Sequence, residues 1–311
     1  MDIDLVYLWV DGNDPAWLAK KLACTGAFKE GTETDCKARY ESNDELKYSL
    51  RSAEKYVPWI RKIFIITDNQ IPVWLDTSNP KIQIIDHRDI MPEVSLPCFN
   101  SSVIEYFLYK IPDLSEHFLF ANDDMFINKS VSPDFFFNAD GFPVVRLKRK
   151  SFRRLQWFWR QNIRKKELLA YRQTIINASE LVKKKYGIYY NGLPHHNIDA
   201  YLKSDLQQVV EQIFKNEFQT RLANHIRNLD DIQRIVYLYV ALAEKRGHLR
   251  FVSNRQSMFV KIHKESSYRK LARYCPVLFC MNDSQFPIDD DRKKLKVWLQ
   301  QRFPDKSSFE K

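Results

Sequence analysis

The sequence predicts an α/β protein: a mostly parallel sheet with helices on both faces, and a helical insertion after about residue 150. Three observations carry this. In the first half, short β-rich apolar runs alternate with helical segments, the pattern of strands joined by crossovers. Beyond Lys150 the texture changes to long helical segments. Strand signals then return near the C-terminus, so a final strand is expected to rejoin the sheet built by the first half.

The elements follow in order. Ile3 to Val10 is an apolar run ending in Asp11-Gly12-Asn13-Asp14-Pro15, a cluster that reads as strand then loop. Ser42-Asn43 precedes Leu46, Leu50 and Ala53 at helical spacing, and Val57-Pro58 closes that helix. Lys62 to Thr67 and Lys81 to Ile85 are buried strands, separated by a connection that Pro72 marks. Ser102 and Glu105 have the spacing of a capping box, which predicts a helix running to Ile111 before Pro112. His117 to Ala121 is a short strand that runs into Asn122-Asp123-Asp124. Helices are then expected over 152–185, 198–218 with a break, and 228–246, followed by strands at 257–262 and 277–281 and a helix at 291–302. The expected parts are residues 1–150, an insertion over 151–256, and 257–311.

With 311 residues, 44% of them hydrophobic, the chain can bury a large core. Only 7 Gly and no internal period exclude collagen-like and repeat architectures. The longest clean apolar stretch, Ile235 to Ala243, is too short to span a bilayer. Asp2 and Asp4 at the N-terminus argue against a secretion signal, so a cytoplasmic setting is expected. The 5 cysteines lack CxxC spacing and read as reduced thiols.

The net charge of +10 is local. Ten Lys and Arg and no acid lie between Arg146 and Lys166, which accounts for the whole excess. That excludes a general nucleic-acid surface and marks one anionic-partner patch. Phe152, Leu155, Trp159 and Ile163 interleave with its arginines, so this helix either lies on an anionic membrane or faces the core with a basic back.

Asn122-Asp123-Asp124 ends a buried strand, where open α/β sheets bind ligands, and its hard oxygens suit Mg²⁺ or Mn²⁺ on a diphosphate. Asn282-Asp283 ends a late strand in the same way, and Asp4 lies in the first strand. Pro194-His195-His196-Asn197-Ile198-Asp199 offers imidazoles able to take a proton near neutral pH, or else a helix cap or core histidine. Arg227, ahead of Asn228 and Asp231, is either a phosphate clamp or a surface ion pair. No GxGxxG, GxxxxGK[ST] or GxSxG occurs. The residues alone reach a metal-assisted phosphate enzyme.

Taken in order, these segments closely resemble the four blocks of the Stealth family of capsular polysaccharide phosphotransferases. That family is related to the catalytic part of the lysosomal-enzyme N-acetylglucosamine-1-phosphotransferase. The first block matches Ile3 to Asp14. The second matches Arg39-Tyr40, Asn43 to Ser52, Pro58 to Arg61, Gln70 to Leu75 and Asn122 to Phe126. The third resembles Pro194 to Asp199 with Ile226 to Gln233, and the fourth Phe279 to Asp283 with Ser308-Phe309-Glu310.

The resemblance implies a Rossmann-like, nucleotide-sugar-transferase-like core, with the nucleotide-sugar part in 1–150 and the site His and Arg in 151–256. It implies transfer of a hexose 1-phosphate from a UDP-hexose to a saccharide acceptor, free or lipid-linked, with release of UMP. Asp123 and Asp124 would be metal ligands or acid/base groups with Asp283 as a further ligand, His196 the base and Arg227 the clamp. Asp4, Trp9, Arg51, Asn122, Asn282 and His195 would meet substrate, and Glu105 would help shape the pocket. The cation would be Mg²⁺ or Mn²⁺. No family block covers 144–192, where acceptor choice and contact with the inner face of the membrane would be encoded. Two rivals stay open: a metal-dependent glycosyltransferase releasing UDP, and a non-catalytic membrane-associated binding protein.

Overall fold

The computed structural model describes residues 1–28, 35, 40–150, 152–164, 169–284 and 286–311. Cys36, Arg39, Lys165 and Lys166, which figure in the sequence readings, lie outside them. The strands are β1 (Ile3–Leu8), β2 (Ile63–Thr67), β3 (Ile82–Asp86), β4 (His117–Asn122), β5 (Met125–Ile127), β6 (Val144–Lys148), β7 (Leu193–Pro194), β8 (Asp199–Leu202), β9 (His248–Phe251), β10 (Ser257–Lys261) and β11 (Leu278–Asn282).

The main sheet has the order β3-β2-β1-β4-β8. Its first four strands are parallel and β8 is antiparallel to β4, with Phe120 opposite Asp199. Alternate residues feed opposite cores, as the pleat requires. Val6, Phe64, Ile66, Phe118 and Phe120 pack under helix Ile235–Ala243. Leu5, Tyr7, Ile63, Ile65, Leu119 and Ala121 pack against Leu46, Leu50 and Ala53 of helix Glu45–Tyr56. The longest apolar stretch is therefore a cover for the sheet, and no helix among the described residues is long and apolar enough to cross a membrane.

Three expectations about the elements are corrected. The late strands do not rejoin the first-half sheet: β10, β11 and β5 make a separate three-stranded sheet. The reason lies in the turn at Asp123-Asp124, which carries the chain out of the main sheet into β5, antiparallel to β11. The edge of β4 is closed instead by Asp199–Leu202, expected as helix, because free strand-edge hydrogen-bonding groups override a weak local helical pattern. The expected 152–185 helix is broken: Arg153–Phe158 continues through a wide turn, Trp159–Ile163, and helix Ala170–Tyr186 follows separately.

The helix expected from the Ser102/Glu105 box begins at Ser101, capped by the Asn100 side chain on the Ser102 N–H at 3.1 Å. That frees the Glu105 carboxylate for another partner. The loop read at Asp11 to Pro15 leads straight into helix Pro15–Thr25, with Asp14 as its cap on Trp17 N at 2.9 Å. The described cysteines, Cys24, Cys98, Cys275 and Cys280, are free thiols.

Candidate active site

The C-terminal ends of β1, β2, β3 and β4 lie along one edge of the main sheet, the edge where open α/β sheets bind ligands. Trp9 follows β1, half-buried against the core, its N–H on Ile66 O at 3.0 Å. The next loop is pinned by Gly12, whose N–H meets Tyr40 O at 2.7 Å. A Cβ there would lie 2.5 Å from that oxygen, so only glycine permits the approach.

From β4, Asn122 leads into the half-buried Asp123 and Asp124. Asp124 is fixed at three points: its carbonyl accepts Met281 N–H at 2.8 Å, its Oδ2 accepts the Cys280 thiol at 3.1 Å, and its Oδ1 is buried with no partner. Glu45, at the start of helix Glu45–Tyr56, is buried beside them and accepts Asn43 N at 2.6 Å and Asn43 Nδ2 at 2.8 Å. Loss of solvation, then the neighbouring Asp124 charge, pushes Asp123 up to about 7. Loss of solvation likewise raises Asp124 to about 7, with Glu45 adding to it, and raises Glu45 to about 8. Three carboxyls thus share one poorly solvated corner, with more negative charge than the surrounding protein neutralises.

That corner fits a divalent cation. The unpartnered Asp124 Oδ1 and the raised carboxyls are the signature of hard-oxygen ligands awaiting positive charge. Asp123 and Asp124 are the residues that would hold it. Asp283, the third expected ligand, is already committed: Arg292 Nε reaches its Oδ2 at 2.8 Å and Ser284 N its Oδ1 at 2.7 Å. Among the described residues no three His, Cys, Asp or Glu side chains form a ready cage. Asn282 closes β11 with its backbone carbonyl on Ile262 N–H at 3.4 Å.

The two histidines are sorted by burial. His195 is fully buried, with Nδ1 at 2.8 Å from Ser257 Oγ and Nε2 at 2.8 Å from Asp199 Oδ1. Both ring nitrogens are used in tying the segment after β7 to β8 and β10, so the structure commits His195 to internal bonds in place of the expected substrate contact. His196 is half-buried, in the left-handed region at φ 55, and turned between the Tyr171 and Phe259 rings. Its Nδ1 lies 3.1 Å from Tyr171 Oη. Loss of solvation, then the Arg234 and Lys148 charges, pushes it down to about 3, so the imidazole is neutral near pH 7.

Arg234 was not singled out in the sequence. It is buried, donates to Glu105 Oε1 at 3.1 Å, lies 4.8 Å from the Phe120 ring centroid, and leaves its Nε without a partner. Its sequence signal was a cation directly before a wholly apolar helix, the end at which the helix dipole favours an acid. Lys148, at the end of β6, is a second such residue, half-buried and held below the usual lysine range by loss of solvation.

Arg227 is half-buried and donates from Nη2 to Ser101 Oγ at 2.8 Å. Its loop is tied to the helix cap by Asn100 Nδ2, which donates to Asp231 Oδ2 at 2.9 Å and to Ile226 O at 3.1 Å. No ion pair forms with Asp230 or Asp231. Two expected substrate residues are placed elsewhere. Asp4 sits at the far end of β1, its carboxylate gripped by Arg61 at 2.7 and 2.9 Å and by Ser115 N at 2.7 Å. Arg51 gives its fork to Glu310, at 2.7 Å twice, and a further bond to Phe303 O at 2.7 Å. It anchors the C-terminal tail.

The description "Stealth protein CR1, conserved region 1" matches residues 1–29, and "Stealth protein CR2, conserved region 2" matches 39–145. The chain is 35% identical to the capsular polysaccharide phosphotransferase fcs1 of Haemophilus influenzae, covering 91% of this chain and 78% of that protein. It is 30% identical to the exopolysaccharide phosphotransferase cps2G of Lactiplantibacillus plantarum, covering 100% and 96%. Among solved structures, the galactosyltransferase LgtC with donor and acceptor sugar analogs has a similar chain trace, at TM-score 0.46 and 12% identity over 98% of this chain and 96% of that one.

Proposed function

Since the chain belongs to the Stealth family, we propose that it is an enzyme moving a hexose 1-phosphate from a UDP-hexose to a saccharide hydroxyl in capsule or exopolysaccharide synthesis. The observation that carries the reading is the carboxyl pair Asp123 and Asp124 at the C-terminal edge of a parallel sheet, with Asp124 Oδ1 buried and unpartnered, and a neutral imidazole, His196, that feels the same Arg234 charge as Asp124. Phosphoryl-type transfer asks for positioning, charge neutralisation and a proton acceptor.

The acceptor oxygen attacks the phosphorus that bears the sugar. A new O–P bond forms, the bridging bond to the nucleotide breaks, and UMP leaves with the bridging oxygen. The acceptor proton passes to His196, whose Nδ1 is held by Tyr171 so that the ring is aimed. In the free protein this imidazole is a weak base, and the negative charge of a bound diphosphate is what strengthens it. Asp123 and Asp124 would hold Mg²⁺ or Mn²⁺, which would neutralise the charge of the diphosphate. Arg227 has its Nη2 set by Ser101 and offers the rest of its fork to the transferred phosphate. Trp9, Asn122 and Asn282 border the cleft as substrate contacts. The acceptor is a saccharide, free or lipid-linked, and the chain works on the cytoplasmic side against the membrane through 146–166.

The test is incubation with a panel of UDP-sugars, Mg²⁺ and a surrogate saccharide, with the released nucleotide separated by chromatography. UMP, with phosphate retained in the product linkage, is expected. Stoichiometric UDP with a phosphate-free linkage would make the enzyme a glycosyltransferase.

A further inference from the structure

We infer that the face formed by Arg149 to Arg164 docks flat on an anionic bilayer, with Phe152, Leu155, Trp159 and Ile163 set among the lipid headgroups. This deepens the membrane contact proposed above and rests on that reading only for which leaflet is met. The surface itself follows from exposure and charge.

A helix on a globular protein ordinarily turns its apolar stripe to the core. This one is inverted. Phe152 is 70% exposed, Leu155 61%, Trp159 50% and Ile163 59%, and Phe158 beside them is 56% exposed. The residues turned inward are Arg153 and Trp157. Arg153 donates to Ser179 Oγ at 2.8 Å and to Tyr190 O at 2.5 Å, and stacks 4.6 Å from the Trp157 ring. A buried arginine thus fastens the helix to Ala170–Tyr186 while its apolar side is left in water. Between the two helices a groove of about 490 Å³, lined by Leu155, Trp157, Phe158, Ile176 and Tyr189, opens beside the exposed side chains.

The charge divides in the same sense. Arg146, Lys148 and Arg153 point inward and are structural or belong to the cleft. Arg149, Lys150, Arg154 and Arg164 are exposed, and among the described residues Arg154 is the one of these that pairs with an acid, Glu180 at 3.0 Å. Arg164 lies 5.2 Å from the Trp159 ring and Arg149 4.5 Å from the Phe251 ring. Cations flanking exposed aromatics are what a headgroup region accommodates, phosphates meeting the charges and the acyl boundary taking the rings. A saccharide would stack on Phe and Trp but would leave Leu155 and Ile163 uncovered, so the bilayer is the better partner. With no spanning helix among the described residues, this face is sufficient only for peripheral attachment.

Flotation of the full chain with lipid vesicles tests this. At low salt the protein should float with phosphatidylcholine vesicles carrying about 30 mol% phosphatidylglycerol and stay in solution with phosphatidylcholine alone. Leu155→Ser, Trp159→Ser and Ile163→Ser together should lower partitioning at least ~10-fold with an unchanged far-UV spectrum, since they remove apolar burial only. Arg149→Gln, Lys150→Gln and Arg164→Gln should do the same, and added salt should mimic them. Wild-type protein that ignores anionic vesicles, or a triple Ser variant that floats as well as wild type, would overturn the inference. So would binding of a soluble anionic polysaccharide with no vesicle binding. None of these readouts uses nucleotide release, so they stand apart from failure of the transferase reading.

Discussion

Asp123→Asn should make the protein more stable at pH 8 while removing most of its turnover. The Asp123 carboxyl is raised from 3.8 to about 7, first by loss of solvation and then by Asp124. A raised folded-state value means that the native protein keeps a proton the unfolded chain has released. The stability from this group is therefore fully present below the unfolded value and is lost as pH rises through the folded one. About 3 pH units correspond to ~4 kcal/mol of strain in the ionised native state. Asp124 shares the repulsion, so neutralising Asp123 alone should recover about half, ~2 kcal/mol at pH 8. In a chain of 311 residues that is a rise in Tm of about 3 °C. At pH 5 the native carboxyl is already protonated, and the gain should shrink by more than half. The assay is thermal unfolding of wild type and variant at both pH values, with and without Mg²⁺. Mg²⁺ should raise the wild-type Tm at pH 8 and leave Asp123→Asn with Asp124→Asn unmoved. A variant less stable than wild type at pH 8, or an equal gain at both pH values, would refute the reasoning.

Other predictions follow from the same cleft. Activity should rise with pH through about 7 as Asp123 and Asp124 ionise, and a pH–rate profile flat from pH 5 upward would count against their role. His196→Ala should lower kcat by ~10²-fold or more with little change in KM, whereas a pure KM effect would reassign the ring to substrate contact. Arg227→Lys keeps the charge but loses the fork and should lower kcat/KM by about 10-fold or more, with Ser101→Ala a smaller loss in the same direction. Arg51→Met leaves the buried Glu310 carboxylate to Ser307 and the more distant Lys47 at 3.9 Å and should cost about 3 kcal/mol in denaturant unfolding. The folded fraction should keep wild-type kcat, and a selective loss of kcat would return Arg51 to the pocket.

What could be read in the sequence was what local pattern determines. β1, β2, β3, β4, β10 and β11 and the helix at Leu46 to Ala53 stand where apolar runs and spacing placed them, because each is buried on a face its own sequence encodes. Asp123 and Asp124 were visible because a carboxyl doublet directly after a buried strand has one physical location, the strand's C-terminal end. β8 was missed because its strand character comes from the open edge of β4, some 80 residues earlier in the chain. Arg51 and Asp4 were misjudged for the same kind of reason. Their partners, Glu310 and Arg61, become neighbours only in the fold.

The same distance rule explains why the charges of the cleft divided as they did between readable and hidden. Two of the acids come from one dipeptide and the third, Glu45, from the start of helix Glu45–Tyr56, while the cations that set their surroundings come from other elements: Lys148 from the end of β6 and Arg234 from the lead-in to the helix above the sheet. Arg234 lowers both the neighbouring His196 and Asp124. A free protein arranged in this way holds its imidazole neutral and its carboxyls near 7. On the reading proposed above, a cation at the carboxyls would favour their ionised form, and phosphate oxygens facing His196 would strengthen the base. If His196 is the base proposed above, its readiness would then depend on occupancy of the carboxyl corner, and in the free protein it would be too weak to activate water.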